Sequence, residues 1–539
     1  LNGVEFVLKD PITGAVKTLT DADLITPSNP TGEYFIGVYA KNNTGGWAAC
    51  GEPNGTLPNT QGNSYCLNSS FTSPETQQWA VNTGNTRQCF EHFVATNPVQ
   101  AFVFKPTEQF ANDLATQLGE VPPELILPPA VYGVQGREFN LYFDNVVLGS
   151  AWDYNVDVSS VGSVGYHLDE CWRWTPTGAV TSGNLTMSLS GRASGKQLVS
   201  GVTAQRSAAS SAGSGTNKKI VYIGDSLINA GVITQTLLDI AATDVMGVTL
   251  YGLRGSGANK HEGRGGWSIP DYSTYGRTAY QFTVSGLTTV PTNGATYTHN
   301  GSTYTVEWTN ITSGSGTITA FLTTGTATPL ATGTLTKTGG TGDSSITFAA
   351  SAAVSGNPFW IGGQVNFAGY LSAFGFPTPD WVFIALGIND VFGQSSDAAA
   401  ASLAQSRFLQ LETLITSIKA ANANTRVGIV IPTPPTSSQD AFGFNYTTGQ
   451  TRWRNKRNVL IWGRELIAKF QNREADRIYV VPSNTALDTV NNYDRSAAAP
   501  VNSRATSVLV SRQNNGVHPG ATGYQQIGDA VWAFLKYFA

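Results

Sequence analysis

Lys218-Lys219-Ile220-Val221-Tyr222-Ile223-Gly224-Asp225-Ser226-Leu227 is the stretch on which the reading of this 539-residue chain turns. Ile220 to Ile223 is a short β-branched and aromatic run, as expected of a strand buried in a parallel sheet, and Gly224 breaks it where the chain must turn tightly. Ser226 then sits at the strand's carboxyl end. Open α/β sheets keep their ligand crevices there. The following Ala230 to Asp239 stretch, with Val232, Ile233, Leu237 and Leu238, reads as a helix whose N-terminus faces the same crevice. Taken alone, Gly-Asp-Ser-Leu fits an ordinary strand-to-helix turn with a capping Asp or Ser equally well.

Three other segments decide. His261-Glu262-Gly263-Arg264-Gly265-Gly266-Trp267 is too rich in glycine for a helix or a strand interior and predicts a loop whose backbone can approach a ligand closely. Trp381 to Leu386 is a second buried strand, ending in Gly387-Ile388-Asn389-Asp390. Gly516-Val517-His518-Pro519-Gly520 is a loop that presents an imidazole just before a helix, Ala521 to Phe538, with Tyr524, Ile527, Ala530, Val531 and Phe534 at helical spacing.

Together these blocks resemble the SGNH, or GDSL-type, hydrolase superfamily. The correspondence runs through Ser226, the loop glycine Gly266 before Trp267, Asn389 in Gly-x-Asn-Asp, and His518 in Val-His-Pro. Four matches in order, over residues 218 to 539 less an insertion, are far more specific than one. The Glu262 to Trp267 segment is similar to carbohydrate esterases of that superfamily that remove acetyl groups from polysaccharides. Arg137 to Asn145 is similar to the β-sandwich that often precedes the catalytic domain in bacterial relatives. The resemblance implies a three-layer, flavodoxin-like α/β domain with a mostly parallel sheet.

The chemistry is also legible from residue types. A neutral serine needs a base within hydrogen-bond reach, and imidazole takes and returns a proton near pH 7. Of the five histidines, His92 and His167 precede this domain and His299 lies in the insertion, leaving His518 and His261. His518 is favoured because its loop precedes the closing helix, as in the family; His261 is read as a supporting or substrate-contacting residue. The expected oxyanion donors are the backbone amides of Ser226 and Gly266 and the side-chain amide of Asn389. For Asn389 the plain alternative is a turn-forming Asn-Asp pair. Arg264, Trp267 and Trp360, with Phe359, are candidate substrate contacts, the aromatic rings as a platform for a sugar face, with core packing as the alternative.

The third triad member departs from the family pattern. Where an Asp usually stands three residues before the His, this chain has Asn515. An Asn carbonyl can fix the tautomer but brings no charge to stabilise an imidazolium; in serine proteases the corresponding change costs about ten-thousandfold. Three readings stay open here: a Ser–His dyad oriented by Asn515 or a backbone carbonyl, another carboxylate such as Asp494 reaching His518, or lost catalysis.

Composition sets the frame. Charged residues make up 13% and net charge is −4, so no basic surface for nucleic acid and no polybasic membrane anchor is indicated. No apolar run of spanning length occurs. Abundant Gly, Thr, Ser and Asn suit an extracellular, cell-surface or virion-surface protein, and the start at Leu1 without a signal peptide reads as a processed or truncated form. Cys50, Cys66, Cys89 and Cys171 lack the spacing of a zinc site; in an exported protein they are expected to form two disulfides, with Cys50–Cys66 the preferred local pair. No metal or cofactor is called for.

Organisation follows from pattern shifts. Residues 1–125 read as a β-rich unit with strands at Tyr34 to Ala40 and Ala101 to Phe104 and no chemical motif. Residues 126–206 are the expected sandwich, with Phe139, Leu141 and Phe143 alternating with polar residues. Residues 207–217 are rich in Ser, Ala and Gly and read as a flexible linker, and 218–539 as the hydrolase domain. Within it, 275–356 is Thr- and Gly-rich and predicts a small all-β insertion, either a lid or glycan-binding surface at the rim, or a passive decoration. Asp397 to Ala420 should be a long amphipathic helix, and Val427 to Ile431 and Ile478 to Val481 core strands. The expectation is a metal-independent serine esterase acting on an acetylated polysaccharide, attached to a surface or assembled from several copies. The competing expectation is a glycan-binding or structural surface protein with an inactive hydrolase domain.

Overall fold

The computed structural model describes residues 123–539, apart from 162, 163, 193, 194, 196 and 448, and, before them, the strands Val4–Lys9, Val16–Thr18, Gly37–Lys41 and Trp47–Ala49. The chain divides into two compact units, Leu1–Pro122 and Pro123–Ala539. In the first, the four strands form one antiparallel sheet with Val4–Lys9 between Val16–Thr18 and Gly37–Lys41, and Trp47–Ala49 at the edge. The strand at Gly37–Lys41 overlaps the one expected at Tyr34 to Ala40. The strand expected at Ala101 to Phe104, and Cys50, Cys66, Cys89 and His92, lie outside the described residues. Cys171 is a buried free thiol, so the four cysteines do not form two disulfides.

The second unit opens with two small sheets packed on one core. One has four strands, ordered Ala130–Val134, Gln197–Ala208, Val180–Gly191, Tyr154–Val161; the other has three, Tyr166–His167, Cys171–Trp174, Phe139–Tyr142. Phe139, Leu141, Trp172, Trp174, Leu185 and Met187 fill the space between them. Asn145 ties this layer to the rest, its Nδ2 donating to the carbonyls of Asn484 at 2.9 Å and Leu487 at 2.8 Å. The Ser-Ala-Gly stretch is not an open linker. Ser207 and Ala208 end a strand, and residues 209–216 form hydrogen-bonded turns closed by contacts such as Gly215 N to Val245 O at 3.2 Å.

The main sheet has seven strands: β1 (Asn217–Gly224), β2 (Gly247–Tyr251), β3 (Arg254–Ser256), β4 (Asn259–Gly263), β5 (Trp381–Ala385), β6 (Arg426–Val430) and β7 (Ile478–Val481). Their order is β3-β4-β1-β5-β6-β7, with β2 also pairing β1, and every pairing is parallel except β3 with β4. The principal helices are α1 (Ser226–Asn229), α2 (Val232–Ala241), α3 (Ile388–Val391), α4 (Asp397–Ala421), α5 (Arg452–Phe470) and α6 (Ala521–Tyr537). Side chains alternate along each strand. Ile220, Tyr222, Trp381 and Phe383 pack on α2 and α6, while Val221, Ile223, Val382 and Ile384 pack on α4 and α5. The central strands are buried on both faces, which is why they read as unbroken apolar runs.

One sequence expectation fails here. His261-Glu262-Gly263 belongs to β4 and not to a loop, because Glu262 and Gly263 pair in register with Ile223 and Gly224 of β1. The inserted segment is a closed barrel of six antiparallel strands, from Thr278–Val284 to Ser345–Ser355, around Phe282, Tyr297, Tyr304, Ile318, Leu335 and Phe348.

Gly387, at the exit of β5, has φ +134°, and a Cβ there would lie 2.4 Å from the Trp462 ring. Gly387→Ala should therefore lower stability by about 2 kcal/mol or more. An unchanged denaturant midpoint would show that this contact relaxes without cost.

Candidate active site

Parallel register places the exits of three strands side by side: Gly224 of β1 stands opposite both Gly263 of β4 and Ala385 of β5. Each exit leads into one of the singled-out motifs. Asp225 caps α1, its Oδ1 accepting from Leu227 N at 2.9 Å, and Ser226 is the first residue of that helix. Burial pushes the Asp225 pKa up to about 7, against the Leu227 amide, which favours the ionised form. The carboxyl beside Ser226 thus carries less than full charge at neutral pH.

His518 reaches Ser226 from the other end of the chain: its Nε2 lies 2.8 Å from Ser226 Oγ. Asn515 Oδ1 accepts from the backbone amides of Val517 at 3.1 Å and His518 at 2.9 Å, and lies 3.3 Å from His518 Nδ1. Two backbone donors on one atom identify it as the carbonyl oxygen, since an amide nitrogen cannot accept them. The ring proton then sits on Nδ1, facing Asn515, and Nε2 offers its lone pair to the serine hydroxyl. Burial lowers the His518 pKa, and no neighbouring charge raises it. Asp494, the other carboxylate considered, packs against Gly520 at the start of α6, and among the described residues no carboxylate pairs with the ring.

The glycine segment follows β4 as a tight turn. Arg264 N donates to Gly224 O at 3.0 Å, and Trp267 N donates to Arg264 O at 3.2 Å. Gly266 has φ +71°, a conformation that strains any residue with a Cβ. Among the described contacts, the Ser226 and Gly266 amides have no acceptor within the protein. Asn389, exposed on α3, donates from Nδ2 to Trp267 O at 2.9 Å, which leaves its second amide hydrogen available. Its helix neighbour Asp390 is buried, accepts from Ile269 N at 3.2 Å, and has its pKa pushed up to about 6, chiefly by burial. Arg407 Nε approaches Asp390 Oδ1 at 3.0 Å without the alignment of a hydrogen bond.

The expected substrate contacts fare differently. Trp267 is 3% exposed and packs its ring 4.7 Å from that of Tyr272, under the Arg264 guanidinium. Phe359 is wholly buried. Neither ring offers a flat face to solvent, so the aromatic platform is largely core; Trp360 is half-buried against Tyr275. His261 is 2% exposed, its Nδ1 accepts from Gly263 N at 3.1 Å, and burial with nearby Arg254 and Arg264 holds its pKa down to about 4. Arg264 is equally buried. Its charge survives because Glu262 and Glu307 outweigh the cost of burial and hold its pKa above the ordinary value.

Two participants escaped the sequence reading. Tyr272 OH sits between the carbonyls of Gly224, at 2.8 Å, and Glu262. Glu307 comes from the barrel, where Val306, Glu307 and Trp308 are all buried across a β-bulge. The signal available was a lone carboxylate between two apolar residues of a strand. A cavity of about 420 Å³, lined by Arg254, Gly265, Trp267, Arg277, Leu322 and Thr323 among others, lies between the glycine turn and the barrel. Among the described residues no group of three or more His, Cys, Asp or Glu side chains is placed to hold a metal, and no helix is long and apolar enough to cross a membrane.

The chain resembles the SGNH hydrolases. Their four motif blocks are present in order, and the fold brings Ser226 against His518 and Asn389 against the glycine turn. No family model matches the chain, and no curated protein matches it. Among solved structures it is similar to a possible lipase from Chitinophaga pinensis at 11% identity, over 60% of this chain and 98% of that one, with TM-score 0.28. It is similar also to a carbohydrate esterase family 3 protein from Talaromyces cellulolyticus, at 12% identity over 59% and 96% with TM-score 0.26. A peptidoglycan O-acetylesterase matches at 12% identity over 60% and 92%, with TM-score 0.27. Scores this low carry no argument for the SGNH-like site, which stands on its own geometry.

A proton-detected titration of the His518 ring should give a midpoint below the usual 6.5. Asn515→Asp should move that midpoint upward, because a carboxylate facing Nδ1 favours the imidazolium. A wild-type midpoint above 6.5, or no movement in the variant, would contradict the arrangement of Asn515 and the ring.

Proposed function

We propose that the chain is a serine esterase that removes O-acetyl groups from a polysaccharide, on a three-layer hydrolase domain of SGNH type. The 2.8 Å contact between His518 Nε2 and Ser226 Oγ carries this reading, because it pairs a nucleophile with a base whose tautomer is already set. Ser226 Oγ attacks the acetyl carbonyl as its proton passes to His518 Nε2. The alkoxide that forms is met by the amides of Ser226 and Gly266 and by the Asn389 side chain. Collapse expels the sugar hydroxyl, which takes the proton from His518. Water then repeats the sequence on the acetyl-enzyme, releasing acetate and restoring Ser226.

Acetyl as the acyl group is favoured by the resemblance of the Glu262 to Trp267 segment to carbohydrate esterases that remove acetyl groups. A sugar polymer is favoured by the Glu262 to Trp267 resemblance and by the open cavity next to the glycine turn. The low charge and Gly- and Thr-rich composition support an extracellular setting, secreted or displayed on a cell or virion surface.

Asn515 distinguishes the mechanism from a full triad. It orients the ring as an acid would, yet the imidazolium forms without a counter-charge, so turnover is slower than with a carboxylate. Asn515→Asp should raise kcat by about tenfold or more, while Ser226→Ala should reduce acetate release by on the order of a thousandfold or more. Because the base acts as neutral imidazole, kcat/KM should rise with pH along a limb centred below 6.5.

One observation favours a second reading, a glycan-binding surface protein with an inactive site: no described carboxylate faces His518. Acetate release from p-nitrophenyl acetate and acetylated xylan, measured beside Ser226→Ala, separates the two. Equal release by wild type and variant on every acetylated glycan sinks the esterase and leaves the binding role.

A further inference from the structure

We infer that Glu307, supplied by the inserted barrel, is a positioning residue for the glycine turn and the nucleophile helix, so that the barrel is part of the site. The catalytic consequence rests on the esterase reading; the structural one does not.

The side chain of Glu307 leaves the barrel at the bulge and enters the hydrolase domain, where it is 6% exposed. Its Oε1 accepts from Arg264 Nε at 2.6 Å and its Oε2 from Arg254 Nη1 at 2.8 Å. Both guanidinium groups lead directly to proposed catalytic elements. Arg264 begins the glycine turn: its amide is anchored on Gly224, and its carbonyl receives Trp267 N, which closes the turn around Gly266. Arg254 Nη2 donates to Asn229 Oδ1 at 2.7 Å, and Asn229 is the last residue of the helix that Ser226 begins. A single carboxylate therefore spans the support of the oxyanion turn and that of the nucleophile.

Burial makes the link matter. Glu262, fully buried, already serves Arg264 Nη1 at 2.6 Å, and it also accepts from Leu253 N and Tyr370 OH, each at 2.6 Å. With Glu307 removed, Arg264 would keep Glu262 alone, and Arg254, beside the cavity, would lose its carboxylate partner. Breaking such a buried set leaves an uncompensated charge, which is relieved by moving a cation toward water. Arg264 cannot move without pulling the turn that it begins. A barrel that served only as decoration would need no such carboxylate in the hydrolase interior.

The test compares Glu307→Gln with wild type and with Asp343→Asn, a change at a barrel carboxylate whose partners are Thr288 and Thr289 rather than Arg254 or Arg264. Amide hydrogen exchange should quicken about tenfold or more across 263–267 in Glu307→Gln, with β1 and the barrel core unaffected and Asp343→Asn like wild type. On p-nitrophenyl acetate, kcat should fall by about 10- to 100-fold with KM nearly unchanged, the mark of a displaced donor rather than weaker binding. Should Glu307→Gln lose cooperative melting, Glu307→Asp keeps the charge but cannot span both guanidinium groups, and the same local quickening is expected in smaller measure. Wild-type exchange across 263–267 in the folded variant, or quickening spread evenly through the barrel, would overturn the inference. If the wild type releases no acetate, the esterase reading fails, and exchange still decides whether Glu307 holds the turn.

Discussion

The parallel register of β4, β1 and β5 is the constraint from which the site follows. Gly224 stands level with Gly263 and with Ala385, so three loops begin at one height on one edge of the sheet. A one-residue slip would invert every side chain of a strand between the two apolar faces. With Ile220 and Tyr222 facing one helix pair and Val221 and Ile223 the other, that slip would exchange side chains of different volume between two packed layers. Precision at this edge of the sheet is therefore inherited from packing in the core.

On this scaffold Ser226 and His518 are held by short, local devices. Asp225 caps the helix that Ser226 begins, and Asn515 folds its own turn while orienting the imidazole. The second device does two tasks with one oxygen. It settles the tautomer as a carboxylate would, and it gives up the charge that would stabilise the protonated ring. Burial acts in the same direction, favouring the neutral form of His518. On the proposed esterase reading, this arrangement presents a base at rest more than it stabilises an acid in transit.

Around the glycine turn the organisation is electrostatic. Arg264 is buried in the core between Trp267, Tyr272 and two carboxylates, one from β4 and one from the barrel. Such a group is costly to bury and costly to leave unpaired, so its partners are fixed once it is inside. The inserted barrel is thereby tied to the domain of the seven-stranded sheet by charge as well as by chain connectivity.

Much of this was legible in the chain itself. Continuous β-branched runs announced β1, β5 and β7, helical spacing announced α4 and α6, and Ser226, Asn389, His518 and the missing acid at Asn515 stood in recognisable order. Those features are local, written in periodicities and short motifs that neighbouring residues alone can satisfy. Tertiary structure decided the rest. It made His261 a buried strand residue, turned Trp267 from a stacking surface into core, and brought Glu307 to Arg264 across 43 positions. A local pattern can mark Glu307 as enclosed by apolar neighbours but cannot name its partner, because which distant surface closes over a ring or a charge is decided only when the barrel and the sheet have docked.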